Sequence, residues 1–303
     1  MGGICQASHH NTRRLCRILK GLLRIFRANA GELVWGGCSD RSEARKEGSP
    51  LPGAVVVMPT YREKDTISAM IERILNADAE VHILVVDDNS PDGTGEIVDA
   101  IAATNPRVNI MHRPGKNGLG TAYVAGFGWA LEHGYEQIIE MDADGSHQPE
   151  ELPRLLKLLD DGANLGIGAR WIPGGKTENW PWYRKLISRS GTTYARIMLS
   201  SKLHDITSGY RGFSAETLRN LDLSRLDSAG YCFQIELAWL VERSGGDVKE
   251  FPITFVERLE GQSKMTSGIV IEALAKVTSW GFASRLGRIP KSQALAAPKD
   301  ATL

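Results

Sequence analysis

The stretch HILVVDDNSPDGT, residues 82–94, decides how the rest of the chain reads. Its apolar residues Ile83 to Val86 run without alternation into two acids and a turn rich in Asn, Ser, Pro and Gly. An unbroken, partly β-branched run of this length suits a strand buried on both faces, as in a parallel sheet. Helical spacing over Thr94 to Ala103 follows, so the unit reads strand, turn, helix.

The unit recurs on both sides. AVVVMPTY (Ala54 to Tyr61) ends in a Pro turn and leads to a predicted helix over Asp65 to Ala77, with Asp65 or Thr66 at the N-cap. Downstream, Val108 to His112, Gln137 to Met141 and Leu165 to Ala169 read as strands, and Gly120 to His133 and Pro149 to Leu159 as helices. Helices over 184–199, 231–244 and Gly268 to Arg285, with a strand over Phe251 to Glu257, complete the pattern. This alternation predicts an α/β fold with a mostly parallel central sheet covered by helices on both faces. Its ligand is expected at the carboxyl ends of the strands.

The 303 residues carry 36 basic and 36 acidic side chains, a formal net charge of zero. A neutral total argues against a nucleic-acid partner, whose phosphates call for a basic surplus. The neutrality is a sum of unlike parts. Residues 1–50 hold nine Lys or Arg against four acids, and the remainder holds 27 against 32. Within the basic arm, Leu15, Ile18, Leu19, Leu22, Leu23, Ile25 and Phe26 fall on one half of a helical wheel and the cations on the other. That composition suits a helix lying in a membrane interface; the alternative is an extension without such a role. Residues 36–53, rich in Gly and Ser, read as a linker, giving an arm and linker over 1–53, a catalytic domain over 54–286 and a tail over 287–303. The four cysteines are too few and too irregular for a disulfide framework or zinc site, which fits a reducing cytoplasm. No run approaches the roughly 20 apolar residues of a membrane span.

Two strand ends carry paired acids: Asp87 and Asp88, then Asp142 and Asp144 in MDADGSHQPEELP (Met141 to Pro153). An Asp-x-Asp at a strand terminus can offer oxygen ligands to a hard dication that also holds a diphosphate. No Gly-x-Gly-x-x-Gly or P-loop lysine motif is present, which disfavours dinucleotide oxidoreductases and P-loop enzymes.

In order, the motifs PTYRE (Pro59 to Glu63), VVDDNSPDGT (Val85 to Thr94), GLGTAY (Gly118 to Tyr123), MDADGSHQPEELP, GAR (Gly168 to Arg170), RKLISR (Arg184 to Arg189), TSGYRGF (Thr207 to Phe213), GYCFQIEL (Gly230 to Leu237) and FVERLEGQSKM (Phe255 to Met265) follow one another. The series resembles the dolichol-phosphate mannose synthases of glycosyltransferase family 2, most closely their bacterial polyprenol branch. The resemblance covers about residues 54–286.

It implies a GT-A nucleotide-diphospho-sugar transferase fold and transfer of mannose from GDP-mannose to a polyprenyl or dolichyl phosphate, with Mg²⁺ or Mn²⁺ as cofactor. Pro59, Tyr61, Glu63, Val86 and Asp88 would then form the guanosine pocket. Asp142, Ala143 and Asp144 match the metal and diphosphate motif, whose next ligand position, often Gln in relatives, is Ser146 here. Arg170 matches a donor-side arginine, Arg258 and Lys264 a basic pair closing over the diphosphate, and Arg184 with Ser188 the acceptor-phosphate site. Asp144, Arg170 and Arg258 are the residues expected to carry catalysis. The resemblance also implies a peripheral enzyme on the cytoplasmic face of a membrane, with room for a separate membrane-anchor protein.

Several of these residues have plainer readings. Asp87 reads better as a turn-orienting acid and His147 as a hydrogen-bonded loop residue. Arg211 either orients the acceptor or pairs with an acid, and Trp180 and Trp182 form a lipid-facing rim or pack. Competing functions are transfer of glucose from UDP-glucose to the same lipid and a non-catalytic nucleotide-sugar or lipid-binding module.

Overall fold

The computed structural model describes residues 53–223, 226, 228, 230, 232–257 and 267–287. The basic arm, the tail from residue 288, and both Arg258 and Lys264 lie outside the described residues.

The buried runs pair as their composition demands. Strands β1 (Ala54–Thr60), β2 (His82–Asp87), β3 (Val108–His112), β4 (Gln137–Glu140) and β5 (Leu165–Ala169) join β7 (Arg211–Ser214) and β8 (Val248–Pro252) in one seven-stranded sheet. The order is β3-β2-β1-β4-β7-β5-β8, with β7 antiparallel to both neighbours and the other pairings parallel. A second, two-stranded sheet pairs β6 (Lys176–Glu178) with β9 (Thr254–Val256).

Side-chain alternation along each strand feeds two cores. Val55 and Val57 of β1 and Leu84 and Val86 of β2 pack on one face. There they meet α3 (Leu119–Glu132), α5 (Trp182–Leu199), α6 (Ala215–Asn220) and α7 (Cys232–Arg243). Ala54, Val56 and Met58, with Ile83 and Val85, pack on the other face. That face is covered by α1 (Ile67–Ala77), α2 (Thr94–Ala102) and α4 (Leu152–Asp160). Burial of each such Val or Leu side chain contributes about 1.5–3 kcal/mol. Gly126 lets α3 close on the sheet, since a Cβ there would overlap the Val57 side chain. Helix α8 (Ser267–Arg285) lies along α5, where Gly281 leaves room for the Met198 carbonyl and Tyr194 and Thr278 share a hydroxyl hydrogen bond.

Two local expectations change, the N-cap expectation holds at Thr66, and one strand carried no expectation. The segment from Phe251 to Glu257 is not one strand: β8 ends at Pro252, and β9 begins at Thr254 in the other sheet. Pro149 to Glu151 form a 3₁₀ turn ahead of α4, because Pro153 tolerates only the first turn of the α-helix. Thr66 occupies the N-cap of α1 without a side-chain cap bond; its hydroxyl donates back to the Glu63 carbonyl at 3.2 Å. Strand β7 was not legible as a strand, since TSGYRGF reads as a polar motif.

The direction of β7 matters for function. Its neighbours β4 and β5 run parallel to the rest and end at one edge of the sheet, so the antiparallel strand begins there. The loop before it, residues 205–210, is thereby delivered to the edge where the acidic turns emerge.

Candidate active site

The first corner of the site is built from the ends of β1, β2 and β3. Pro59 pairs in register with Val86, and Thr60 with Asp87. Asp87 holds the turn: one carboxylate oxygen accepts the Thr60 hydroxyl at 2.8 Å and the Ser90 hydroxyl at 2.6 Å, and the other accepts the Ser90 amide at 2.9 Å. The plain reading of this acid is thus the observed one. Asp88 points elsewhere and pairs with Arg113 Nη1 at 2.8 Å. Burial raises the Asp88 carboxyl above the ordinary carboxylate range, against the opposing pull of Arg113. The Tyr61 ring carries Lys116 Nζ 4.5 Å from its centroid. The Glu63 amide donates to Thr94 Oγ1 at 3.1 Å, which fastens the first turn to the second. The Val86 side chain is wholly within the core. Arg113 and Lys116 were not singled out in the sequence, although the strand-end logic that found Asp88 applies equally to the residue after β3.

At the end of β4, Asp142 and Asp144 flank Ala143, whose side chain is packed inward. The Asp142 amide donates to His147 Nδ1 at 3.1 Å, and the Tyr123 hydroxyl lies 3.4 Å from Asp142 Oδ1. His147 is therefore a loop-bracing residue, stacked on Tyr210 with centroids 5.2 Å apart. Asp144 Oδ1 accepts the Ser146 amide at 3.0 Å. The Ser146 hydroxyl, in a residue only 1% exposed, has no hydrogen-bond partner among the described residues. Two carboxylates on alternate residues and an orphaned buried hydroxyl beside them fit a hard dication. Among the described residues no group of three or more His, Cys, Asp or Glu is placed to hold a metal ion.

Below this turn, Glu140 of β4 faces Arg211 of β7 across the ladder, both wholly buried. Burial pushes the Glu140 carboxyl up to about 8 despite Arg211. Burial also draws the Arg211 guanidinium down to about 10. Arg211 donates to the carbonyls of Ser208 at 2.6 Å and Ile206 at 2.6 Å, and to that of Gln234. It is thus a strut under loop 205–210 that also faces the buried Glu140 carboxyl.

The cationic side follows β5. Arg170 sits in a clamp: Nε and Nη2 each donate to an Asp205 carboxylate oxygen at 2.7 Å, and Nη2 also reaches Thr207 Oγ1 at 2.9 Å. Its Nη1 makes no hydrogen bond among the described residues, so one end of the fork stays available. Trp180 lies between two cations, with the Arg170 guanidinium carbon 5.7 Å and that of Arg184 4.2 Å from its ring. Trp180 is accordingly packed, whereas Trp182 is 76% exposed. Arg184 also pairs with Glu257, the residue preceding Arg258. Strand β9 is tied to the acidic turn by the Val256 amide, which donates to the Ser146 carbonyl at 3.2 Å. Arg184 and Ser188 lie four residues apart on α5 and share a face.

Paired acids at the ends of β2 and β4, beside cations grouped around β5 and α5, define a GT-A-type nucleotide-sugar transferase site on an open α/β sheet. Residues 55–222 match the family described as Glycosyl transferase family 2, and the chain belongs to that family. Polyprenol monophosphomannose synthase of Mycolicibacterium smegmatis is 49% identical over 259 residues, spanning 85% of this chain and 96% of that protein. Undecaprenyl-phosphate mannosyltransferase of Micrococcus luteus is 52% identical over 231 residues, spanning 76% and 95%. Dolichol-phosphate mannosyltransferase of Pyrococcus furiosus is 35% identical over 224 residues, spanning 73% and 62%. Among solved structures, glucosyl-3-phosphoglycerate synthase from Mycobacterium tuberculosis with Mn²⁺, UDP-glucose and phosphoglyceric acid aligns with a TM-score of 0.55. That alignment has 23% identity over 80% of this chain and 82% of the other, a likeness of fold alone.

Proposed function

We propose that the protein transfers mannose from GDP-mannose to a polyprenyl phosphate, with inversion at the anomeric carbon, releasing GDP. The observation that carries this reading is the pair of cationic poles on either side of Trp180, Arg170 clamped by Asp205 just after β5 and Arg184 in the first turn of α5. Two poles suit two phosphate-bearing substrates. The names of the two relatives near half identity support mannose and a polyprenyl phosphate as the pair.

In this reading Pro59, Tyr61, Glu63, the Val86 backbone and Asp88 receive guanosine, with Arg113 orienting Asp88. Asp142, Asp144 and Ser146 would hold Mg²⁺ or Mn²⁺. When bound, the cation neutralises charge on the departing diphosphate. Arg170 adds its Nη1 to that task, and Arg258 and Lys264 act on the same group. Arg184 and Ser188 hold the lipid phosphate. A phosphate monoester has its second pKa near 6, so the attacking oxygen is already largely an anion and needs no general base. The chain's contribution is then position and electrostatics.

The acceptor lipid sets the protein's place. Among the described residues no helix is long and apolar enough to cross a membrane. Helix α5 exposes Trp182, Tyr183, Leu186 and Ile187 in its first two turns and carries Arg184, Lys185, Arg189 and Arg196 with no acid. An aromatic, cationic face of this kind suits the headgroup region of an anionic bilayer. We therefore assign the protein to the cytoplasmic face of a membrane as a peripheral enzyme.

The test is turnover of GDP-mannose with polyprenyl phosphate and Mg²⁺ or Mn²⁺, with UDP-glucose as rival donor. Formation of an acid-labile mannosyl lipid supports the reading. Transfer of glucose in its place, or no transfer from either donor, refutes it.

A further inference from the structure

Thr207 links the Arg170 clamp to helix α5. Its hydroxyl accepts Arg170 Nη2 at 2.9 Å, lies 3.2 Å from Asp205 Oδ1 and 3.2 Å from Thr192 Oγ1. A threonine hydroxyl has one proton and two lone pairs. The carboxylate is the better acceptor, so Thr207 gives its proton to Asp205 and Thr192 donates the third bond. The hydroxyl of Thr207 is then fully satisfied by three partners from β5, its own loop and α5.

Thr192 lies on the helix that presents Arg184 and Ser188, and the three positions are spaced by four residues. One helical face therefore bears the acceptor-side arginine, the acceptor-side serine and the threonine bonded to the Arg170 clamp. Exposure falls from the start of that helix to its middle. Trp182 is 76% exposed, while Thr192 is 3% exposed and anchored. A displacement of α5 is felt at Thr192, where a hydrogen bond already at 3.2 Å weakens steeply with further separation or misalignment.

We propose that the Thr192–Thr207 hydroxyl pair couples the acceptor and donor sites. Seating a lipid phosphate on Arg184 and Ser188 sets α5, and Thr192 and Thr207 then hold Arg170 with Nη1 turned to the donor diphosphate. Both threonines are positioning residues and touch neither substrate. The inference rests on the proposed assignment of α5 to the acceptor and Arg170 to the donor. Because coupling of binding is reciprocal, acceptor tightens donor product by the same factor as product tightens acceptor.

Calorimetric binding of GDP with Mg²⁺ to the full chain, with and without soluble farnesyl phosphate, measures the factor directly. In the unaltered protein farnesyl phosphate is expected to lower the GDP Kd by about fivefold or more, the range usual for coupled sites. Thr192→Val and Thr207→Val are expected to bring the factor close to one, and Thr192→Ser to retain it. A factor of one in the unaltered protein overturns the proposal. So does an undiminished factor in whichever valine variant folds, and so does loss of the factor in Thr192→Ser, which would mark packing as the cause. The functional reading fails separately, by absence of mannose transfer in the unaltered enzyme, whereas intact turnover with unchanged coupling refutes only this link.

Discussion

The corner proposed to receive the nucleoside and the helix proposed to receive the acceptor differ in one molecule. At the ends of β1 and β2, acids are buried and fixed by short hydrogen bonds within the turn, as at Asp87. Along α5, cations stand on a half-solvated face among exposed Trp182, Tyr183, Leu186 and Ile187. A small, soluble donor calls for a preorganised pocket, whose geometry costs nothing to assemble at the moment of reaction. A long lipid brings its own solvent, so its receiving surface must be apolar enough to meet a bilayer and charged enough to pick out one phosphate. The difference teaches that rigidity and exposure are distributed by where each substrate comes from.

Substitutions that affect one side and spare the other test this division. The largest effect is expected from Asp144→Ala, which removes a proposed ligand of the dication and should lower turnover by at least about a hundredfold. Its thermal unfolding should stay near that of the parent, and retained turnover in the folded variant would sink the metal assignment. Next comes Arg184→Ala. Losing a charge-assisted contact to the lipid phosphate should cost about 10- to 100-fold in kcat/KM for the lipid. GDP affinity should change by less than about twofold, and equal losses on both substrates would erase the distinction between the two sides. Smaller is the effect of the paired change Trp182→Ser with Leu186→Ser. It should weaken sedimentation with anionic vesicles by roughly tenfold, at about 1–1.5 kcal/mol of lost interfacial burial, without altering GDP binding. Unchanged vesicle binding would remove α5 from the membrane surface.

The smallest effect concerns the strut beneath the acidic turn. The Glu140 carboxyl is raised from 4.5 to about 8, so the folded state keeps a proton that the unfolded chain releases near 4.5. Between those values the folded state binds more protons, and stability falls as pH rises, levelling off above about 8. Glu140→Gln abolishes that loss. In EDTA, its Tm relative to the parent should climb steadily between pH 5 and pH 8, each kcal/mol of that linkage being worth about 2–4 °C. A difference that stays flat with pH would place the titration elsewhere.

How much of this was legible in the chain depends on the range of the interactions involved. The strands and their acidic ends were readable because unbroken apolar runs and turn chemistry are local signals. Asp88, Asp142 and Asp144 follow from them directly. Asp87 and His147 also proved to be the bracing residues that their turn positions suggested. Asp205 was invisible, although it clamps Arg170 from 35 residues away, because nothing near it in sequence marks a buried carboxylate. Trp180 was ambiguous for the same reason: its contacts with Arg170 and Arg184 come from two separate elements. Arg211 lay within a recognised motif, yet its partners are the carbonyls of a loop and a helix, which no spacing rule encodes.

By itself the sequence determined the α/β class, the acidic strand ends and the basic character of α5, since each rests on residue type and short-range periodicity; the family came from the resemblance that its ordered motifs carry. The tertiary structure decided what those residues can reach. An antiparallel β7 between β4 and β5 brings loop 205–210 to the carboxyl edge, and only there do Asp205 and Thr207 meet Arg170. Strand insertion is a long-range choice, set by which apolar faces must be covered, and the composition of a four-residue strand does not specify its neighbours.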